Sequence, residues 1–239
     1  MSAPDTAMIL AAGLGTRMRP LSSAVPKPLV PLDGKALIDH VLDRLALAGV
    51  KKAVVNVHYM ADQIEAHLAG RASPAFEISN ERDLLLDTGG GVLRALPRLG
   101  AGPFFIHNSD SVWIEGAKPC LEQMAQAWNP DVMDTLLLLA PVTGALGYAG
   151  RGDFTLGADG KLSRPDSGEE TPFVFTGVSL AHKRLFADAP EGKFSLNILW
   201  DRAIEAGRIH GLRHDGVWMH VGTPDAVRVA EECMRRARE

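Results

Sequence analysis

The chain is poor in cysteine: Cys120 and Cys233 are the only two in 239 residues. That excludes a disulfide scaffold and a thiolate-rich zinc site, and it fits a reducing compartment. Aromatic residues are 6% of the chain, too few and too scattered for a base-stacking platform. There is no surplus of positive charge, with 25 Lys and Arg against 29 Asp and Glu for a net of −4. A general nucleic-acid binder shows a basic surplus or stripe, so none is expected. Residues 136–140 are the longest aliphatic run, far short of the roughly 20 residues that span a bilayer. Residues 1–6 lack the basic and apolar parts of a secretory signal. The expectation is a soluble cytoplasmic protein, a monomer or small homo-oligomer, with no nucleic-acid or membrane partner.

Against these absences stand 46% hydrophobic and 23% charged residues, enough for a sizeable core. Short apolar runs at 8–12, 53–57, 76–80, 104–106 and 135–140 read as strands. Helical spacing at 37–48 (Leu37, Ile38, Val41, Leu42, Leu45, Ala48) and 60–68 separates the first of them, and Gly49 and Gly70 act as stops. Strands at 173–180, 209–212 and 218–221 follow, with helices at 196–206 and 224–238. This alternation predicts an α/β fold, a Rossmann-like domain over 1–239. Its sheet is mixed but mostly parallel, with helices on both faces. Residues 143–172, rich in Gly, Asp and Pro, read as a small insertion of hairpins and loops.

The most informative stretch follows the first strand: Ala11-Ala12-Gly13-Leu14-Gly15-Thr16-Arg17, then Pro20 and Pro26-Lys27-Pro28. Two close glycines let backbone amides point at phosphate oxygens. Arg17 can clamp phosphate in a bidentate way, and Lys27 sits on a stiff turn. The dinucleotide fingerprint fails because its third glycine is Met18. The P-loop fails because Gly34-Lys35 is followed by Ala36 and preceded, five positions earlier, by Leu29. His210 and His214 have no cysteine or carboxylate cluster in sequence, and no Gly-x-Ser-x-Gly elbow is present. Asp110 ends the polar tip Asn108-Ser109-Asp110 after a strand. A carboxylate there suits a hard cation, and it equally suits an Asx turn.

The pattern Gly-x-Gly-Thr-Arg-x-x-Pro, then Pro-Lys-Pro and a Pro-Leu-x-Gly-Lys stretch, resembles the sugar-1-phosphate nucleotidyltransferases. Echoes at Asn108-Ser109-Asp110 and Gly222-Thr223-Pro224 extend the resemblance over nearly the whole chain. Short length and the run Leu86-Asp87-Thr88-Gly89-Gly90-Gly91 resemble the bacterial uridylyltransferases acting on N-acetylmuramate 1-phosphate. The resemblance implies a nucleoside triphosphate, UTP before others, and a sugar 1-phosphate as substrates, with Mg²⁺ or Mn²⁺. It makes a nucleotide sugar for cell-wall recycling the expected product and pyrophosphate the leaving group.

Residue by residue, the resemblance implies that Ala11, Ala12, Gly13, Leu14, Gly15 and Thr16 cradle the triphosphate. Arg17 then meets the β- and γ-phosphates, and Lys27 the α-phosphate. Asp110 is the implied metal ligand, and His220 stands where a second metal aspartate is usual. Imidazole is a poor Mg²⁺ ligand, so three readings stay open: Asp110 and substrate phosphates hold Mg²⁺ with water in the gap, His220 contacts phosphate or favours Mn²⁺, or activity is weak or absent. Thr88 and Gly89 resemble the loop that reads a pyrimidine through backbone amides, with Glu81 or Asn80 as helper at a longer spacing than in relatives; the alternative is a glycine-rich helix start with no base contact. Asn108, Gly147 and Gly177 are sugar-side candidates. Arg164 stands in for the usual lysine of a Glu-Lys-Pro motif or is solvated, and Asn197 lines the sugar pocket or caps a helix. Two rivals share these features: a mannose-1-phosphate guanylyltransferase, and a non-catalytic regulatory protein that binds nucleotide sugars.

Overall fold

In the computed structural model, which describes residues 4–166 and 168–238, the first apolar run forms β1 (Thr6–Leu10). It stops two residues earlier than its composition predicts. Ala11 and Ala12 are buried but belong to the following loop, because the Ala11 N–H donates to the Asn56 side chain. A small hairpin of β2 (Pro31–Leu32) and β3 (Lys35–Ala36) leads into α1 (Leu37–Leu47). Then come β4 (Lys52–Val57), α2 (Ala61–Leu68), β5 (Ala75–Asn80), α3 (Asp87–Ala95) and β6 (Phe104–Asn108). After these run β7 (Ser111–Ile114), α4 (Cys120–Ala127) and β8 (Thr135–Pro141). Among its described residues, the expected insertion holds the two-residue strands β9 (Thr155–Leu156) and β10 (Leu162–Ser163), paired antiparallel. The chain closes with β11 (Phe173–Ala181), α5 (Asn197–Glu205), β12 (Ile209–Arg213), β13 (Val217–His220) and α6 (Pro224–Arg236).

Seven strands form the main sheet in the order β12-β8-β11-β6-β1-β4-β5. β11 runs antiparallel to both its neighbours, and every other pairing is parallel. Successive side chains on a strand face opposite sides, and the core divides accordingly. Ala7, Ile9, Val55, Leu136 and Leu138 pack with α1, α2 and α4. Met8, Val54, Leu137 and Leu139 pack with Val92 of α3 and Leu199 and Trp200 of α5. A third cluster joins Met18, Val30, Leu32, Leu37, Val112, Met219, Val221, Val227 and Ala230, and so ties the glycine loop to β7, β13 and α6.

The path leaves β1 for β4 and β5, then returns to β6 on the other side of β1. Such a reversal opens a crevice beyond the strands' carboxyl ends, where α/β sheets bind ligands. A buried polar network fixes that edge. Asn56 Oδ1 accepts the Ala11 N–H at 2.7 Å, and Asn56 Nδ2 donates to Glu81 Oε1 at 2.7 Å. Glu81 Oε2 accepts the Leu86 N–H at 3.0 Å. Gly91 lacks a side chain for a reason, since a Cβ there would lie 2.8 Å from both Asn56 Nδ2 and Glu81 Oε1.

Two stability predictions follow from this packing. Glu81→Ala leaves two buried donors unpaired, at about 1–3 kcal/mol each. Urea unfolding should therefore show a loss on the order of 2–6 kcal/mol, and a midpoint unchanged from wild type would contradict the network. Burial also holds His107 down to about 4 and lowers His182, His210, His214 and His220. The unfolded chain takes up these protons near pH 6.5 while the native state resists. Tm is expected to fall as pH drops from about 6.5 to about 4; calorimetry across that window checks it.

Candidate active site

Gly15 adopts φ 61, ψ 25, a left-handed conformation that glycine reaches without strain. A Cβ there would also meet Lys27 Cβ at 3.0 Å and Ser22 Cβ at 3.3 Å. The Ser22 hydroxyl donates to the Gly15 carbonyl at 2.6 Å. Thr16–Met18 make one 3₁₀ turn, and Met18 is fully buried. The loop is thus anchored at its far end by packing, with Arg17 left exposed between anchor and glycine. Lys27, between Pro26 and Pro28, opens a further 3₁₀ turn, Lys27–Leu29. Its ammonium donates to Asp110 Oδ2, and both side chains are mostly covered, at 14% and 23% exposure.

Above this pair lies a cavity of about 520 Å³, within the range usual for small-molecule sites. Its walls include residues 10–18, Lys27, Pro28, Asn56, Thr88, Asn108, Ser109 and Asp110. Arg17 has no carboxylate at ion-pair distance among the described residues. Backbone amides, an unpaired guanidinium, an ammonium and one carboxylate therefore meet where three parallel strands end. That donor set can hold a polyphosphate together with a hard cation.

The expected residues divide on inspection. Ala11, Ala12, Gly13, Leu14, Gly15, Thr16, Arg17, Lys27, Thr88, Asn108 and Asp110 line the cavity. Glu81 does not; it is fully buried and spends its oxygens on Asn56 and Leu86. The Gly89 N–H is already given to the Phe194 carbonyl at 2.9 Å, and the Thr88 N–H to Asp87 Oδ1 at 2.6 Å. Neither amide is open to a base in this arrangement. Gly177, at φ +88, lies against Asn108, whose Nδ2 would be 2.9 Å from a Cβ there.

His220 lies beside the cavity rather than on its wall. Its ring packs edge-on to Tyr148 and near Trp218. Burial lowers its pKa, with Lys27 and Arg17 adding to the effect and Asp110 opposing it. Gly147, at φ +72, is pressed against the His220 carbonyl, 2.7 Å from where a Cβ would sit. Arg164 and Asn197 do meet, but outside the cavity. Arg164 Nη2 donates to Asn197 Oδ1 at 2.7 Å and Nε to Asp201 Oδ1 at 2.9 Å, while the guanidinium lies over Phe154.

Sequence reading missed Asn56, Leu85, Asp87 and Lys193, all on the cavity wall. A lone polar residue inside the apolar run 53–57 was a visible signal for Asn56; Lys193 offered none. Sequence spacing also separates His214 from any partner, yet the fold gathers Glu115, Cys120 and His214 within 4.8 Å. Glu115 Oε2 accepts the Cys120 N–H at the start of α4, and the Arg44 guanidinium lies beside it. This group is a helix cap facing a buried cation. Burial raises the Cys120 thiol and lowers the His214 imidazole.

A relative from Caulobacter vibrioides, named N-acetylmuramate alpha-1-phosphate uridylyltransferase, is 50% identical across 98% of this chain and 99% of its own. One of the same name from Neisseria meningitidis serogroup B is 33% identical across 91% of this chain and 93% of its own. Among solved structures, the inositol-1-phosphate CTP transferase from T. maritima superposes with a TM-score of 0.79 at 19% identity, covering 100% of this chain and 98% of that one. UDP-glucose pyrophosphorylase complexed with UDP-glucose gives 0.81 at 15% identity, covering 98% and 99%. Both structures share the fold. No helix among the described residues is long and apolar enough to cross a membrane. The profile of the MobA-like NTP transferase domain matches residues 7–141, and the chain belongs to that family.

Proposed function

We propose that this protein transfers a uridylyl group from UTP to N-acetylmuramate 1-phosphate, forming the nucleotide sugar and releasing pyrophosphate. The observation that carries the reading is the Lys27–Asp110 pair beneath the glycine loop, with the unpaired Arg17 above it. Similarity along 99% and 93% of two relatives of that name supports the choice of substrates. A sugar-phosphate oxygen attacks the α-phosphorus; the new P–O bond forms as the bond to pyrophosphate breaks. The protein supplies no nucleophile. It holds two anions in line and neutralises charge as it develops.

Amides of residues 13–16 receive the triphosphate, and Arg17 meets the departing β- and γ-phosphates. Lys27 exchanges Asp110 for an α-phosphate oxygen. Asp110 would hold a divalent cation, and the site's chemistry fits one: a carboxylate on the cavity wall and phosphate oxygens from the substrate suit Mg²⁺. When bound, the ion supplies charge neutralisation across the phosphates. His220, packed beside Tyr148 and Trp218 with its pKa lowered by burial, stands outside the cavity wall and is left out of the ligand set.

Pyrophosphate release with a panel of triphosphates and sugar phosphates tests the reading, and tight binding without turnover would replace it with that of a non-catalytic binder. Arg17→Ala and Lys27→Ala are each expected to lower kcat at least ~100-fold, since one oxyanion donor supplies about 3 kcal/mol. Circular dichroism must show both variants folded, and near-normal turnover in either removes the role given to it. Chelation by EDTA should abolish turnover, with recovery on adding Mg²⁺; activity that survives chelation would rule out a metal at Asp110.

A further inference from the structure

The three-glycine run has a structural task at a distance. A Cβ on Gly89 would lie 2.3 Å from the Phe194 ring, and one on Gly90 would lie 2.2 Å from the Gly192 carbonyl oxygen. The Gly89 and Gly90 N–H groups both donate to the Phe194 carbonyl, at 2.9 and 3.2 Å. In return the Phe194 N–H donates to the Leu86 carbonyl at 3.1 Å, and the Leu196 N–H to Thr88 Oγ1 at 3.0 Å. Residues 192–196 are therefore clamped onto the opening turn of α3. The side chain carried by this clamp is Lys193, and it lines the same cavity as Arg17, Lys27 and Asp110.

Lys193 is exposed and has no carboxylate at ion-pair distance among the described residues. Asp87, on the same wall, directs its carboxylate to the Thr88 N–H instead. An unpaired cation on a fixed backbone is a ready anion site. The triphosphate already has the amides of residues 13–16, Arg17 and Lys27. The proposed sugar substrate brings one further anion, the carboxylate of its lactyl ether, which N-acetylglucosamine 1-phosphate lacks. We infer that Lys193 is a carboxylate subsite that selects the lactyl-bearing sugar. This inference rests on the functional reading above and names the residue that sets its sugar specificity.

The test compares kcat/KM, with saturating UTP, for N-acetylmuramate 1-phosphate and N-acetylglucosamine 1-phosphate. Where the second is turned over slowly, its Ki as a competitor serves. Lys193→Gln is expected to reduce the preference for the lactyl-bearing sugar at least ~10-fold, mainly through KM, and Lys193→Arg to restore most of it. An equal loss for both sugars, or a loss in KM for UTP, makes Lys193 a general phosphate contact and overturns the subsite. An unchanged preference overturns it as well. Wild-type protein that binds both sugar phosphates but turns over neither defeats the functional reading. Lys193 is then judged by whether Lys193→Gln weakens binding of the lactyl-bearing sugar alone.

Discussion

Two opposite charges held together beneath a glycine loop set the terms for everything near them. Lys27 and Asp110 are largely covered, and stripping either of its partner leaves a charge with little water to turn to. Such a loss is far more damaging than the net value of the pair suggests. The pair also bolts two distant pieces of backbone together. Lys27 rises from a proline-flanked turn after the loop, while Asp110 hangs from the link between β6 and β7. On the proposed chemistry, a polyphosphate claims the ammonium and a divalent ion claims the carboxylate. Each newcomer alone leaves one member of the pair stranded, so the two arrivals favour one another through ordinary electrostatics.

How far the sequence spoke depended on how local each determinant was. Strands β1, β4 and β8 were legible because both faces are buried and their apolar runs are nearly unbroken. The glycine loop was legible because its glycines, prolines and cations fall within about twenty positions of one another. Helix α4 went unread: its buried residues are only Cys120, Leu121 and Met124, too short a pattern to stand out. Glu81 was grouped with the base-reading loop as a helper to Thr88, but nothing in a one-dimensional string says that this carboxyl turns inward to Asn56. Arg164 was similarly opaque, since Asp201 lies 37 positions away.

The three-glycine run shows the same limit from the other side. It was visible as a pattern, and its natural reading was a set of free amides. The fold spends two of those amides on Phe194, about a hundred positions downstream, and uses the missing side chains to let another backbone approach. Close approach and open amides call for the same residue type, and only a partner's position separates them. A glycine-rich motif is thus as much a record of what packs against it as of what binds to it.

The third apolar cluster carries a consequence for how the molecule is made. Met18 anchors the glycine loop, and its cluster, begun by Val30, Leu32, Leu37 and Val112, is completed by Met219, Val221, Val227 and Ala230. Residues through Ala230 must leave the ribosome before that cluster is complete. Domains made from the N-terminus can settle early portions of a sheet as they emerge, but here the opening loop waits for the closing helix. Until α6 docks, a nascent chain therefore carries the loop's glycines and cations without the full packing that holds Met18.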